Sequence, residues 1–211
     1  MQNNIKEDLH FFNELINELI NDELKNPVAG AIPATELNSK FDLALKSSPA
    51  IAADFKKELK NLVLNTPKSS SKLFFNQLFG GRHSKAILGD LLAVMLNNSM
   101  ATYKIAGPQV AVEKEIIKQV NHLIGYPQGC GGTFPTGGSM SNFMSMVMAR
   151  DKKNSEIRNK GMQGKLVAYT SDNSHYSIAK NAAFTGIGRD NIRYIKSDNK
   201  GRINSVAFKN Q

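Results

Sequence analysis

The residues of this chain best suited to chemistry lie in two short stretches. The first runs from 129 to 150 and reads GCGGTFPTGGSMSNFMSMVMAR. Its glycines at 129, 131, 132, 137 and 138 let the backbone reach positive φ and approach a ligand closely. Ser139 stands where a helix would begin, followed by Ser141 and Asn142. The first amides of a helix have no partner within it, so two or three of them can bind an anion, and phosphate is the natural guest. The same residues also read as a plain glycine-rich turn with a serine N-cap. The helix behind them favours the ligand. Phe143, Met144, Met146, Val147 and Met148 leave no polar face before Arg150 and Asp151, which predicts a helix buried in the body of the protein. Free amides at a buried terminus need something to satisfy them.

The second stretch is YTSDNSHYSIAKNAA, residues 169–183. His175 follows a short strand-like run and would project from the C-terminal edge of a sheet, where α/β proteins bind ligands. A lone histidine is as readily a capped or solvated side chain. Several other chemistries fail on spacing. The sequence contains no GxxxxGK[ST] and no GxGxxG, and GGSMS lacks the second glycine of a nucleophile elbow. The histidines at 10, 83, 122 and 175 have no metal-ligand spacing, and no metal is expected. Cys130 is the only cysteine, which excludes an intrachain disulfide; it sits in the glycine-rich turn with no obvious base beside it.

These two stretches need a scaffold. Apolar residues at 5, 9, 12, 15, 16, 19 and 20 predict an amphipathic docking or dimerising helix over 5–24. A looser tract with prolines at 27, 33 and 49 has room for a short helix near 37–45. Ser48 and Pro49 read as N-cap and first turn of a helix carrying Phe55, Leu59, Leu62 and Val63, which ends before Thr66 and Pro67. A polar linker, 67–72, leads to KLFFNQLFGG, where Asn76 and Gln77 sit inside an aromatic cluster. They are either satisfied structurally or turned to a pocket. Helices follow over 84–97 and 109–124, the second started by Pro108 and stopped by Gly125. After Gly164 the pattern changes. Strand-like runs at 166–171 and 191–198 flank a helical run at 174–184, the signature of a parallel βαβ unit. A sheet of so few strands leaves edges unpaired and an apolar face uncovered, so the sequence reads as unfinished.

Composition narrows the partners. With 211 residues and 41% hydrophobic content the chain falls between one domain and two. Of the net charge of +9, +7 lies within 151–211. No recognition motif accompanies it and tryptophan is absent, so a solvated face is expected and no nucleic acid. The longest apolar run, 91–96, is too short to span a membrane, and the polar, acidic opening MQNNIKEDLH is unlike a signal peptide. A soluble, cytoplasmic protein is expected.

Four segments in order resemble one family. KLFFNQLFGG, LNNSMATYKIAGPQV, GTFPTGGSMSNFMSMVMARDKK and KLVAYTSDNSHYSIAKNAAFTGIGRDNIRYIKSD are similar to successive blocks of the pyridoxal-phosphate-dependent group II amino-acid decarboxylases, in the branch with glutamate and cysteine sulfinate decarboxylases. The resemblance covers roughly residues 72–203. It implies the α/β fold of a fold-type I (aspartate aminotransferase-like) enzyme: an N-terminal helical segment, 1–66, then the first, incomplete part of the cofactor-binding large domain, 67–211. It implies pyridoxal 5'-phosphate as cofactor, an amino-acid substrate and a homodimer in the complete enzyme. Gly138 and Ser139 match residues that hold the cofactor phosphate, and His175 matches the catalytic histidine that stacks on the pyridine ring. Gln77 matches a glutamine beside cofactor and substrate, and Ser99 a position lining the substrate carboxylate pocket. At that position glutamate decarboxylases have asparagine and the sulfinate branch has serine. An acidic substrate (glutamate, aspartate or cysteine sulfinate) is therefore expected. The family's cofactor-bearing lysine and the aspartate paired to the pyridine nitrogen lie further downstream than this chain extends, so the chain reads as a fragment inactive alone. Lys85, in His83-Ser84-Lys85, falls in a different block and reads as solvated. The alternatives are a related carbon-carbon lyase like the sphingosine-phosphate lyases, against which Phe74-Phe75-Asn76-Gln77-Leu78 speaks, and a non-catalytic interaction or dimerisation module.

Overall fold

A computed structural model describes residues 4–210 except Ala29, Ala31 and Gln77. The chain separates into two compact units, Met1–Ser99 and Met100–Gln211.

The first unit is helical. Helix α1 (Ile5–Lys25) uses the expected apolar stripe, and of that stripe Leu15 is fully buried. Helix α2 (Leu37–Lys40) follows a 3-10 turn at Ala34–Glu36 and is shorter than the sequence suggests, because Phe41 turns extended at φ −128°, ψ 136° and buries its ring. Helix α3 (Ala52–Asn65) packs on α1. Its N-cap is Ile51, not Ser48. Pro49 suits a first turn but does not enforce one, and residues 49–51, which would form the turn before Ala52, are all exposed. The Lys68 amide donates to the Val28 carbonyl (2.7 Å), and its ammonium meets the Asp22 carboxylate at 2.6 Å. That contact holds Asp22 below the usual carboxylate range, through the Lys68 hydrogen bond first and the Asn26 side chain second. Helix α4 (Ser84–Leu96) ends where expected, with Asn97 left-handed at φ 49°, and none of its residues is buried. Lys85 on its first turn is exposed, as expected.

In the second unit, α5 (Tyr103–Ala106) leads through Gly107 into α6 (Pro108–Leu123), with Pro108 in the first turn. Helix α7 (Gly138–Lys153) and the short α8 (Ile157–Lys160) precede strand β1 (Ala168–Ser171). Helix α9 (Ser177–Phe184) crosses to strand β2 (Ile192–Ile195), and α10 (Ser205–Lys209), absent from the sequence expectation, follows. The strands are parallel, Ala168 opposite Ile192 and Ser171 opposite Ile195, so the βαβ unit is as the hydrophobic pattern indicates. Ala182, Ile187 and Ile192 form the core, against which Met146, Met162, Leu166 and Ala179 pack. The expectation that α7 is buried all round does not hold. One face packs on α9, Asp151 is its only fully buried residue, and Met140 and Met148 stand exposed. Among the described residues the sheet has only two strands, and α7 packs chiefly on α9, which leaves part of its apolar surface uncovered.

Candidate functional site

The site is built where α7 begins. Gly137 caps the helix at φ 157°, ψ 167°, a backbone region essentially closed to residues with a Cβ. Its carbonyl accepts from the Met140 amide (3.0 Å) and the Ser141 amide (3.1 Å). Ser139 is therefore the second helical residue and not the N-cap, a correction that leaves its chemistry intact. Among the described residues, the Gly138 and Ser139 amides and the Ser139 hydroxyl have no protein partner. Three donors stand together at the positive end of a 16-residue helix. The turn leading to them is held close to α6. A Cβ at Gly132 would come within 2.9 Å of Ile117 Cγ2, and Asn121 Nδ2 donates to the Cys130 carbonyl at 2.9 Å.

His175 sits on the turn between β1 and α9, beyond the C-terminal end of the strand. Both strands pin that turn. The Asp172 amide donates to the Ile195 carbonyl (3.0 Å), while Asp172 Oδ1 accepts from the Ser197 amide (3.0 Å) and hydroxyl (2.7 Å). The Ser197 hydroxyl is the largest cause of the lowered Asp172 pKa. Thr170 Oγ1 donates to Ser174 Oγ at 2.7 Å. His175 Nδ1 lies 2.8 Å from Ser177 Oγ, and the Tyr176 ring lies beside the imidazole at 4.2 Å between centroids.

Two side-chain bridges tie α9, which His175 precedes, to α7. Asn142 Nδ2 donates to Ser177 Oγ (2.8 Å), and Asn181 Nδ2 donates to the Ser139 carbonyl (2.9 Å). Ser177 is fully buried and Asn181 is 3% exposed, so both bonds are shielded from water and rigid. At the far end of the same helix pair, Arg150 donates to the Thr185 carbonyl (2.7 Å) and to Asp151, which also accepts from Arg158 (3.1 Å). Arg150 before Arg158 keeps the Asp151 carboxyl below its ordinary range, against the opposing effect of burial.

Gly138, Ser139 and His175 thus share one frame. Gln77 falls outside the described residues, and Ser99 closes the first unit just beyond α4. Ser177 and Asn181 were not singled out in the sequence, and Asn142 was named there only as following Ser139. Their signal was present as spacing: Asn142 lies one turn beyond Ser139 on α7, and Ser177 and Asn181 are four apart on one face of α9. No group of acidic, histidine and cysteine side chains able to hold a metal exists among the described residues, and no helix there is long and apolar enough to cross a membrane.

A helix N-terminus with unpartnered amides is thus bonded, through Asn142 and Asn181, to the helix that follows a histidine at the carboxyl end of a parallel strand. The family model described as "Pyridoxal-dependent decarboxylase conserved domain" matches residues 34–210, and the chain belongs to that family. Cysteine sulfinic acid decarboxylase of Mus musculus is 35% identical over 170 residues, covering 80% of this chain and 34% of that protein. Acidic amino acid decarboxylase GADL1 of Xenopus tropicalis is 31% identical over 201 residues, covering 93% of this chain and 39% of the relative. The crystal structure of mouse CSAD superposes with a TM-score of 0.93 at 30% identity, over all of this chain and 45% of that one. The chain therefore spans less than half the length of the relatives it matches. The fold is that of the large domain of a fold-type I enzyme, in part.

Proposed function

We propose that these residues serve pyridoxal-phosphate-dependent decarboxylation of an acidic amino acid, supplying the phosphate cradle and the ring-stacking face of the site. The observation that carries the reading is the set of unpartnered donors at Gly138 and Ser139, held by Asn181 on the frame that also carries His175. Both fit the cofactor. Each charge-assisted bond to its phosphate contributes roughly 1.5 to 3 kcal/mol. The His175 ring, fixed from behind by Ser177, offers a flat face to a pyridine ring. When bound, the cofactor supplies the electron sink for loss of CO₂. The chain's own contribution is to anchor the cofactor and hold its ring flat.

Gln77 and Ser99 complete the reading on the substrate side, orienting the substrate carboxylates. The acidic preference is supported by relatives named for cysteine sulfinic acid and acidic amino acids. A homodimer and a cytoplasmic location belong to the same proposal. Apolar side chains exposed on α1 and α4, such as Leu9, Leu91 and Leu92, suit the first, and a lone exposed Cys130 suits the second. The division into a helical segment, 1–66, and a cofactor-binding part, 67–211, is proposed with it.

Substrate order tests the proposal. The protein as its source expresses it releases CO₂ from cysteine sulfinate, glutamate or aspartate faster than from tyrosine or DOPA; the reverse order overturns the acidic reading. On the same reading the isolated 211 residues release no CO₂, and borohydride reduction with pyridoxal phosphate labels their lysines only diffusely. One stoichiometrically labelled lysine, with CO₂ release that its change to alanine abolishes, would contradict this.

A further inference from the structure

The polar chain from α7 through α9 fixes more than the place of His175. The Ser177 backbone amide lies 3.3 Å from His175 Nδ1, and Ser177 Oγ lies 2.8 Å from the same nitrogen. An amide N–H can only donate, so Nδ1 must present its lone pair. On the far side of Ser177, the Asn142 Nδ2 group donates to Oγ at 2.8 Å. Oγ accepts there, which leaves its own proton for Nδ1. Two donors thus converge on one ring nitrogen. A neutral imidazole carries a single proton, and here it belongs on Nε2.

We propose that Asn142 and Ser177 are positioning residues that hold His175 as the neutral Nε2–H tautomer, with the ring anchored through Nδ1. This deepens the role proposed for His175 and rests on that reading only for its consequence. Anchored at Nδ1, the ring cannot turn about its outer bond without losing both donors, so one face and one outward donor, Nε2–H, stay presented. A histidine that merely capped α9 would use the same Nδ1 acceptor but would be indifferent to Asn142. The backbone contribution does not depend on how the Asn142 amide is turned; the hydroxyl contribution does.

Nitrogen NMR of the ¹⁵N-histidine-labelled 211-residue chain reads the tautomer without cofactor. His175 is assigned by its loss in His175→Gln, and spectra are taken at about pH 8, where imidazole is neutral. The expected spectrum puts Nδ1 at the unprotonated position and Nε2 at the protonated one. Asn142→Asp, on the half-buried face of α7, replaces the donor with an acceptor that draws the Ser177 proton away. It is expected to move population to Nδ1–H, while His10, His83 and His122 keep their signals and report that the fold is intact. Ser177→Ala leaves only the backbone donor and is expected to give a mixture of tautomers. A protonated Nδ1 in the unmodified chain overturns the proposal by itself, whatever the variants do. So do His175 signals in folded Asn142→Asp identical to those of the unmodified chain. Failure of the chain to bind pyridoxal phosphate would count against the proposed function and leave the tautomer result standing.

Discussion

The two units solve the same packing problem with different materials. In Met100–Gln211 the buried set mixes aliphatic residues with Asp151, Thr170, Ser177, Asn181 and Thr185, and each of these polar groups has its partners. Among the described residues of Met1–Ser99 only Leu15, Phe41 and Lys68 are fully buried, while α4 keeps Ile87, Leu88, Leu91 and Leu92 exposed. Apolar burial is non-directional and tolerates sliding. A network of buried hydrogen bonds fixes helices in one register. Gly138, Ser139 and His175 stand on the unit whose interior is polar where α7 meets α9, and the cofactor roles proposed for them need fixed orientation more than bulk stability.

The sharpest way to break this comparison is to delete methyl groups from each unit. Ile192→Ala should destabilise the second unit by about 2 to 5 kcal/mol, whereas Leu91→Ala on exposed α4 should change stability by no more than about 0.5 kcal/mol. Amide exchange resolved by residue checks both. Equal losses would show that α4 is packed as tightly as β2.

A smaller effect is expected for the bridge under Ser139. Asn181→Ala removes one buried hydrogen bond, about 1 kcal/mol net, and takes from the Ser139 carbonyl its side-chain donor. The cost should appear as faster exchange at the start of α7 and weaker phosphate binding, with the first unit untouched.

The least conspicuous effect is visible only against pH. Asp151 has its folded pKa lowered by Arg150 and then Arg158, so its contribution is fully present above its unfolded value, near 3.9. It is lost as pH falls through the lower folded value. Acid titration followed by circular dichroism should show the second unit losing stability below about pH 4, and Asp151→Asn should flatten that limb. An unchanged limb in the variant would remove Asp151 from the account.

What the sequence disclosed follows the same division. The helices α1, α4 and α6, the parallel βαβ unit and the glycine-rich turn into α7 were legible because periodicity, Pro108 and the glycines act over one or two turns. Gly137 in place of Ser139 as the cap was not, since both fit a helix start and only the φ of 157° decides. Nor was the half-exposed state of α7, because an apolar helix does not say how many neighbours cover it. The bridges Asn142–Ser177 and Asn181–Ser139 join residues 35 and 42 apart, and polar side chains carry no pattern at that range.

Titrating the ¹⁵N-labelled 211-residue chain with pyridoxal phosphate, beside inorganic phosphate, tests residue by residue whether the start of α7 and His175 form the one phosphate-cofactor half-site proposed for them. Saturable shifts are expected at the Gly138 and Ser139 amides with both ligands, with a concerted shift of the His175 ring with pyridoxal phosphate alone and a roughly 10- to 100-fold weaker response in Ser139→Ala. Shifts confined to scattered surface lysines, or a silent α7 N-terminus at saturating ligand, would contradict it.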